Sequence, residues 1–150
     1  MSFVWRLASG RYATLAGEGA RLVGGRWNSP GRPVVSASES LALCLAECLV
    51  HVTGALPRDY VAFKIEIPDG EVESIPSATL APNWRQDPGY TREIGDRWLR
   101  EARTVALAVP SAVLADSTNL LLNPLHPAAQ GVRIVDQQPF QFDPRLRPPG

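Results

Sequence analysis

The sequence has 150 residues, 45% hydrophobic and 20% charged, which is the size and composition of one globular domain with its own core and excludes a disordered chain. Fifteen basic and fifteen acidic residues cancel, so no global field draws the chain onto nucleic acid or an anionic membrane. No apolar run reaches the length of a membrane span, and Arg6, Arg11, Glu18, Arg21 and Arg26 occupy the segment where a leader would be apolar, so the expectation is a single domain over 1–150, cytoplasmic, without signal peptide or anchor.

Residues 3–7 read as a first strand, and the stretch 17–31 is too punctuated by glycine for a regular element and reads as a loop. Val34 and Val35 give a short strand. Ser36 with Glu39 then has capping-box spacing, with Ser38 as an alternative cap, for a helix over 39–53 stopped by Gly54 and Pro57. Val61, Phe63, Ile65 and Ile67 alternate with Ala62, Lys64 and Glu66, the period of a strand with one wet face. A short strand at 71–75 and a Pro-rich loop lead to a second helix over 91–102, capped by Thr91, with Ile94, Trp98, Leu99 and Ala102 inward and Arg92, Asp96, Arg100 and Glu101 outside. The apolar run 104–109, ended by Pro110, reads as a strand buried on both faces. Short strands at 120–122, 133–135 and 140–142 complete the set, with 141–150 as a C-terminal tail. The sum is an α+β fold, two main helices against six or seven short strands in small sheets.

Chemistry is suggested first by Glu47, a carboxylate in a helix that is apolar almost all round, where it must find a partner or emerge in a cleft. His51, one turn on, offers the structural alternative of an i,i+4 pair. In the glycine-rich stretch, glycines let backbone approach a ligand, Arg21 and Arg26 suit phosphate, and Trp27 offers a stacking face, although neither a Walker loop nor a dinucleotide fingerprint is present. Charge is uneven: residues 1–33 hold five Arg against Glu18 alone, while 34–80 hold seven acids against Arg58 and Lys64. Ser111 ends a buried strand, but no Gly-x-Ser-x-Gly elbow surrounds it, which argues against a serine hydrolase with His126 as base. Cys44 and Cys48, four apart in the expected helix, are awkward for a disulfide and have no histidine cluster for zinc, so they read as reduced core thiols and no metal is expected.

Taken in order, Gly24-Gly25-Arg26-Trp27-Asn28-Ser29-Pro30-Gly31, Ser38-Glu39-Ser40 leading to Glu47, Val109-Pro110-Ser111, and Asn123-Pro124 with His126-Pro127 resemble the RES-domain family. The family takes its name from an Arg, a Glu and a Ser, matched here by Arg26, Glu47 and Ser111, and the likeness runs from Trp5 to Leu146. It implies a toxin of a bacterial type II toxin–antitoxin pair with a fold similar to the ADP-ribosyltransferases. The implied co-substrate is NAD+, and the implied partner is an Xre-like antitoxin that covers the active site. One departure is Ser36, where the family usually carries Tyr; Tyr12 or Trp27 are the candidates to replace its stacking surface.

That implication suits the chemistry. Breaking the nicotinamide–ribose bond leaves positive charge on the sugar, so a fixed carboxylate near the developing oxocarbenium ion is the main requirement. Glu47 is assigned that role, Arg26 and Arg6 the diphosphate or ribose, and Ser111 and Asn123 the nicotinamide or ribose end, with Gly25, Trp27, Asn28 and Ser36 as further binding residues. A small residue at Ser36 implies a more open cleft, which favours transfer of ADP-ribose to a protein over phosphorolysis or hydrolysis of NAD+. The rival from another class is a non-catalytic binding module, with Ser36 the mark of a decayed site; the intact Arg26, Glu47 and Ser111 argue against it.

Overall fold

The run that ends at Pro110 has Ala106 and Leu107 without measurable exposure, which sequence alone explains only if both faces of a strand are covered. The computed structural model describes residues 2–146 and supplies both covers. Along the chain lie β1 (Ser2–Ser9), α1 (Glu18–Val23), β2 (Val35–Ser38), α2 (Leu41–Leu49), β3 (Tyr60–Ile67), β4 (Val72–Ser74), α3 (Pro88–Glu101), β5 (Ala106–Pro110), β6 (Thr118–Leu122) and β7 (Arg133–Phe140), joined in places by single 3-10 turns. The strands form a seven-stranded sheet in the order β4-β5-β6-β2-β1-β3-β7, antiparallel throughout except for the β4–β5 pair. The fold is α+β, as the element pattern implies.

Between β1 and β2 the ladder narrows to one register pair, Trp5 opposite Ser38. The sheet therefore behaves as two halves. Val4, Phe63, Ile65 and Ile67 from β1 and β3 pack in one cluster with Val35, Ala37, Ala106, Ala108, Leu120 and Leu122 from the other half. The alternate residues of β5 and β6, Leu107, Val109 and Leu121, point the other way and meet Trp98 and Leu99 of α3 together with Trp27, Val34 and Trp84. The period of two thus gives the central strands a core on each side.

Several expected boundaries move. Within the glycine-rich stretch the chain forms α1, whose Glu18–Arg21 pair at 2.8 Å supports a helix too short to show as a period. Gly24 ends it at φ 74°, where a Cβ would meet the Asn28 carbonyl oxygen at 2.9 Å. For α2, neither Ser36 nor Ser38 is the cap, because both belong to β2; Ser40 accepts from the Leu43 amide at 3.1 Å, and Glu39 instead accepts from the Thr118 amide. That helix also stops four residues short of the expected 53. Asp87, not Thr91, caps α3, accepting from the Tyr90 amide at 3.2 Å with Pro88 at the first helical position. Residues 133–140 make one strand rather than two, and Pro139 fits it because β7 is a sheet edge, where no ladder donor is missed. Of the expected tail over 141–150, Phe142 is buried edge-on to Tyr60 and Phe140, and residues 147–150 lie outside the described residues.

Helix α3 is the platform for the glycine-rich loop. Thr91 Oγ1 donates to the Arg26 carbonyl at 2.6 Å, Arg92 Nε donates to the Gly25 carbonyl at 3.0 Å, and Asp96 accepts from the Ser29 amide and hydroxyl at 2.9 and 2.7 Å. At Gly95 the Trp27 backbone lies directly on the helix, so a Cβ there would collide with the Trp27 carbonyl. Helix propensity favours Ala over Gly by about 1 kcal/mol, yet overpacking dominates here, and Gly95→Ala will lower stability by about 1–3 kcal/mol in urea unfolding. Ala102, which ends α3 at φ 49°, gives the opposite sign: Ala102→Gly relieves a left-handed residue and will raise stability by about 0.5–1 kcal/mol in the same assay.

Candidate active site

Where β1 and β2 part, a cleft of about 700 Å³ opens, within the usual range for small-molecule sites. Its walls come from β1 (Arg6), β2 (Ser36), α2 (Glu47), the glycine-rich loop (Arg26), the second turn of α3 (Arg92) and β6 (Asn119). These residues span most of the sequence, and only the sheet order brings them together.

Glu47 reaches this cleft because α2 is not buried all round. The helix packs on β1 and β2 with Leu43 and Cys44 fully inside, while the rest of its apolar residues are half-buried or exposed. The carboxylate is fixed by two donors on the same oxygen: Ser111 Oγ at 2.7 Å and Asn119 Nδ2 at 2.6 Å both donate to Oε1. Ser111 is 1% exposed and itself accepts from the Val113 and Leu114 amides, each at 3.1 Å, so it stands behind Glu47 and does not line the cleft. No bond joins Glu47 to His51, which lies past the helix end, exposed at the cleft's edge.

Sharing the cleft with Glu47 are three arginines without carboxylate partners among the described residues. Arg6 donates to the Ser36 carbonyl at 2.9 Å and the Tyr12 carbonyl at 3.4 Å, and its Nε is buried with no partner. Burial lowers its pKa from the ordinary arginine value, opposed by Cys44 and Tyr60 nearby. Arg26 donates to the Arg85 carbonyl at 3.0 Å, and Arg92 is held by Gly25 as described above. Glu47 is the one acidic side chain among the described lining residues, so the cleft carries a local excess of positive charge that suits an anion.

The remaining candidates divide. Gly25 and Ser36 line the cleft, the latter exposed. Asn28 also borders it, but its amide is used inside the loop, on the Ala20 and Ser29 carbonyls. Trp27 is 5% exposed and packs against Trp84 at 5.9 Å between centroids, which makes it a core residue with one edge at the cleft. Tyr12 is absent from the described lining and contributes its backbone carbonyl to Arg6; the tyrosine at the cleft is Tyr60. Asn123 lies apart, 5% exposed, beside a separate apolar cavity of about 150 Å³, and accepts from the Leu125 amide. His126 caps the turn at 127–131 by accepting from the Ala128 amide.

Two residues of the cleft gain a role only in the tertiary structure. Arg92 was assigned to an outer helix face, which is correct for solvent but not for the loop beside it. Asn119 follows Thr118 in the half-buried start of β6, facing Ser38, just before the buried run Leu120–Leu122. Cys44 donates to the Trp5 carbonyl at 3.1 Å, burial pushes its pKa up to about 11, and no cluster of three or more metal-ligating side chains occurs among the described residues.

Comparison with known proteins agrees with this architecture. The RES domain model matches residues 3–143. A protein of Sphingobium sp. named Prs ADP-ribosylating toxin is 37% identical over 152 residues, covering 95% of this chain and 94% of its own length. A Pseudomonas putida protein named Toxin Res is 39% identical over 147 residues, covering 95% and 98%. A chain in the crystal structure of the M. tuberculosis MbcT–MbcA toxin–antitoxin complex is similar with a TM-score of 0.66 over 93% of this chain and 84% of that one, a likeness of fold at 18% identity. With the family model spanning nearly the whole sequence and relatives named as toxins along its full length, the chain belongs to the RES-domain family.

Proposed function

We propose that this chain is the toxin of a toxin–antitoxin pair that breaks NAD+ at the nicotinamide–ribose bond and transfers ADP-ribose to a protein acceptor. The observation that carries the reading is the Glu47 carboxylate, with Oε1 fixed by two donors and Oε2 without a protein partner among the described residues, facing a cleft with three unpaired arginines. Such an arrangement fits a substrate with a diphosphate at one end and a cationic leaving group at the other. Arg6, Arg26 and Arg92 suit the diphosphate, and the orphaned Nε of Arg6 is a donor still awaiting an acceptor.

In the reaction the bond from ribose C1′ to the nicotinamide nitrogen breaks, and its electron pair goes to the ring nitrogen. Nicotinamide therefore departs neutral and needs no proton. The charge left on the ribose is an oxocarbenium ion, which the preorganised Glu47 carboxylate stabilises at a distance from water. A nucleophile of the acceptor then bonds to C1′ and releases its proton to solvent, with much of the rate supplied by docking. Ser111 acts here through Glu47, in place of the direct contact with nicotinamide or ribose expected from sequence. Transfer to protein is favoured by the exposed Ser36 in the wall and by the similarity to the Sphingobium toxin.

The same reading gives the chain an Xre-like antitoxin, which covers the cleft. Val50 and Val113 stand 58% and 36% exposed in its lining, an apolar rim at a cationic opening that suits a partner with both apolar and carboxylate side chains. It also puts the chain in the cytoplasm with its co-substrate; no described helix is long and apolar enough to cross a membrane.

Labelled NAD+ tests the reaction. With lysate, label will appear on a discrete protein band, and Glu47→Gln will reduce nicotinamide release by about 10²- to 10³-fold, the scale of losing one preorganised electrostatic group. Label found only in ADP-ribose or its 1″-phosphate, whether or not lysate is present, overturns transfer in favour of hydrolysis or phosphorolysis, and no nicotinamide release at all favours a binding module. In cells, expression alone will arrest growth and co-expression with the antitoxin will relieve it.

A further inference from the structure

We propose that Asn119, oriented by Ser38, is a positioning residue that turns the Glu47 carboxylate so that one oxygen is held and the other is presented to substrate. The proposal rests on the reading of Glu47 as the reacting carboxylate. Asn119 and Ser38 are directly opposite in the antiparallel β6–β2 register, which puts their side chains on one face within reach of each other. Ser38 is 4% exposed, and its hydroxyl donates to Asn119 Oδ1 at 2.7 Å.

An ionised carboxylate only accepts, so Glu47 takes the NH2 end of the amide, and the Ser38 hydroxyl, which can donate or accept, holds the other end by donating to Oδ1. A flipped Asn119 would set Oδ1 against Oε1, acceptor against acceptor, and would turn its NH2 group toward Ser38. With Ser38 donating, the NH2 group is left for Glu47 and meets Oε1 at 2.6 Å. Ser111 reaches the same oxygen from the loop after β5 at 2.7 Å. Two donors arriving at Oε1 from different elements fix the carboxylate's position and its plane, so its second oxygen keeps one direction. The strand register of β2 and β6 thereby aims a side chain that belongs to neither strand. Ser38 and Ser111 are 4% and 1% exposed, so the two hydroxyls behind the half-buried Asn119 and Glu47 are shielded from water.

Steady-state nicotinamide release, variant crystal structures and thermal unfolding test the proposal together. Asn119→Ala will lower kcat by about 10²-fold with KM nearly unchanged, since a misdirected carboxylate costs rate more than binding. Ser38→Ala will give a smaller loss in the same direction. Asn119→Asp supplies a readout that a merely structural role would not move. At low pH one proton is held between the two carboxyls and replaces the amide donor, whereas at higher pH both ionise and repel. Its kcat relative to wild type will therefore rise as pH falls from 8 to 5. The cleft's other titratable groups, Arg6, Arg26 and Arg92 with Cys44, Cys48, His51 and Tyr60, are common to both proteins and cancel in that ratio. In the crystal structure of Asn119→Ala the Glu47 side chain will leave its single orientation. An unmoved Glu47 in that structure, a wild-type kcat for Asn119→Ala, or a flat Asn119→Asp ratio overturns the proposal. A folded wild type that releases no nicotinamide overturns the proposed reaction instead, and the Asn119→Ala structure still decides whether Asn119 aims Glu47.

Discussion

Strands β1 and β2 share one register pair, and the site is a consequence of what the missing ladder leaves behind. Two neighbouring strands that part company expose backbone groups that need partners. Arg6 meets part of that need: rooted in β1, it donates to the Ser36 carbonyl of β2, so a side chain spans the gap where ladder bonds would otherwise run. Helix α2 packs on both strands beside the gap, and the glycine-rich loop completes the lining of the cleft. A cleft in the middle of a sheet, walled by a cation on one strand and a carboxylate on the covering helix, is the result.

Five arginines outside the cleft are ion-paired, whereas none of the three that line it is, among the described residues. Arg21 with Glu18, Arg97 with Glu101, Arg103 with Glu73, Arg133 with Glu66 and Arg145 with Asp143 are all ion-paired. Exposed pairs of this kind contribute about 0–1 kcal/mol each and account for little of the stability. Inside the cleft, by contrast, Arg6, Arg26 and Arg92 are held by backbone carbonyls, which orient a guanidinium without neutralising it. Keeping cations in place yet uncompensated is what an anion site requires.

Helix α3 links the core to this chemistry. Its inner face packs Trp98 and Leu99 against β5 and β6, while Thr91, Gly95 and Asp96 grip the loop that carries Arg26. The tryptophan pair Trp27 and Trp84 seals the junction. Arg26 is exposed, but its backbone is therefore tied to one of the best-packed parts of the molecule. Glu47 is anchored comparably, through Ser111 and Asn119, to the ends of two buried strands. Arg26 and Glu47 are thus both tied, through α3 and through Ser111 and Asn119, to the same pair of buried strands.

The α+β class, the alternation in β3, the doubly buried β5 and the isolated carboxylate of Glu47 were all legible in the sequence, because period and burial cost act locally along the chain. Helix starts were less so: Ser36, Ser38 and Ser40 all offer capping chemistry, and only the pairing of β2 with β6 removes the first two from competition. Asn119 and Asn123 have the same residue type and lie on one strand and its end, yet one bonds Glu47 and the other borders a different cavity. Arg92 likewise occupies an outer helix face until the loop folds beside it. The sequence by itself determined the elements and the costly residues that need partners. Which partners they receive was decided by sheet order and register, since these contacts join residues up to 81 positions apart and no local pattern encodes a distance of that kind.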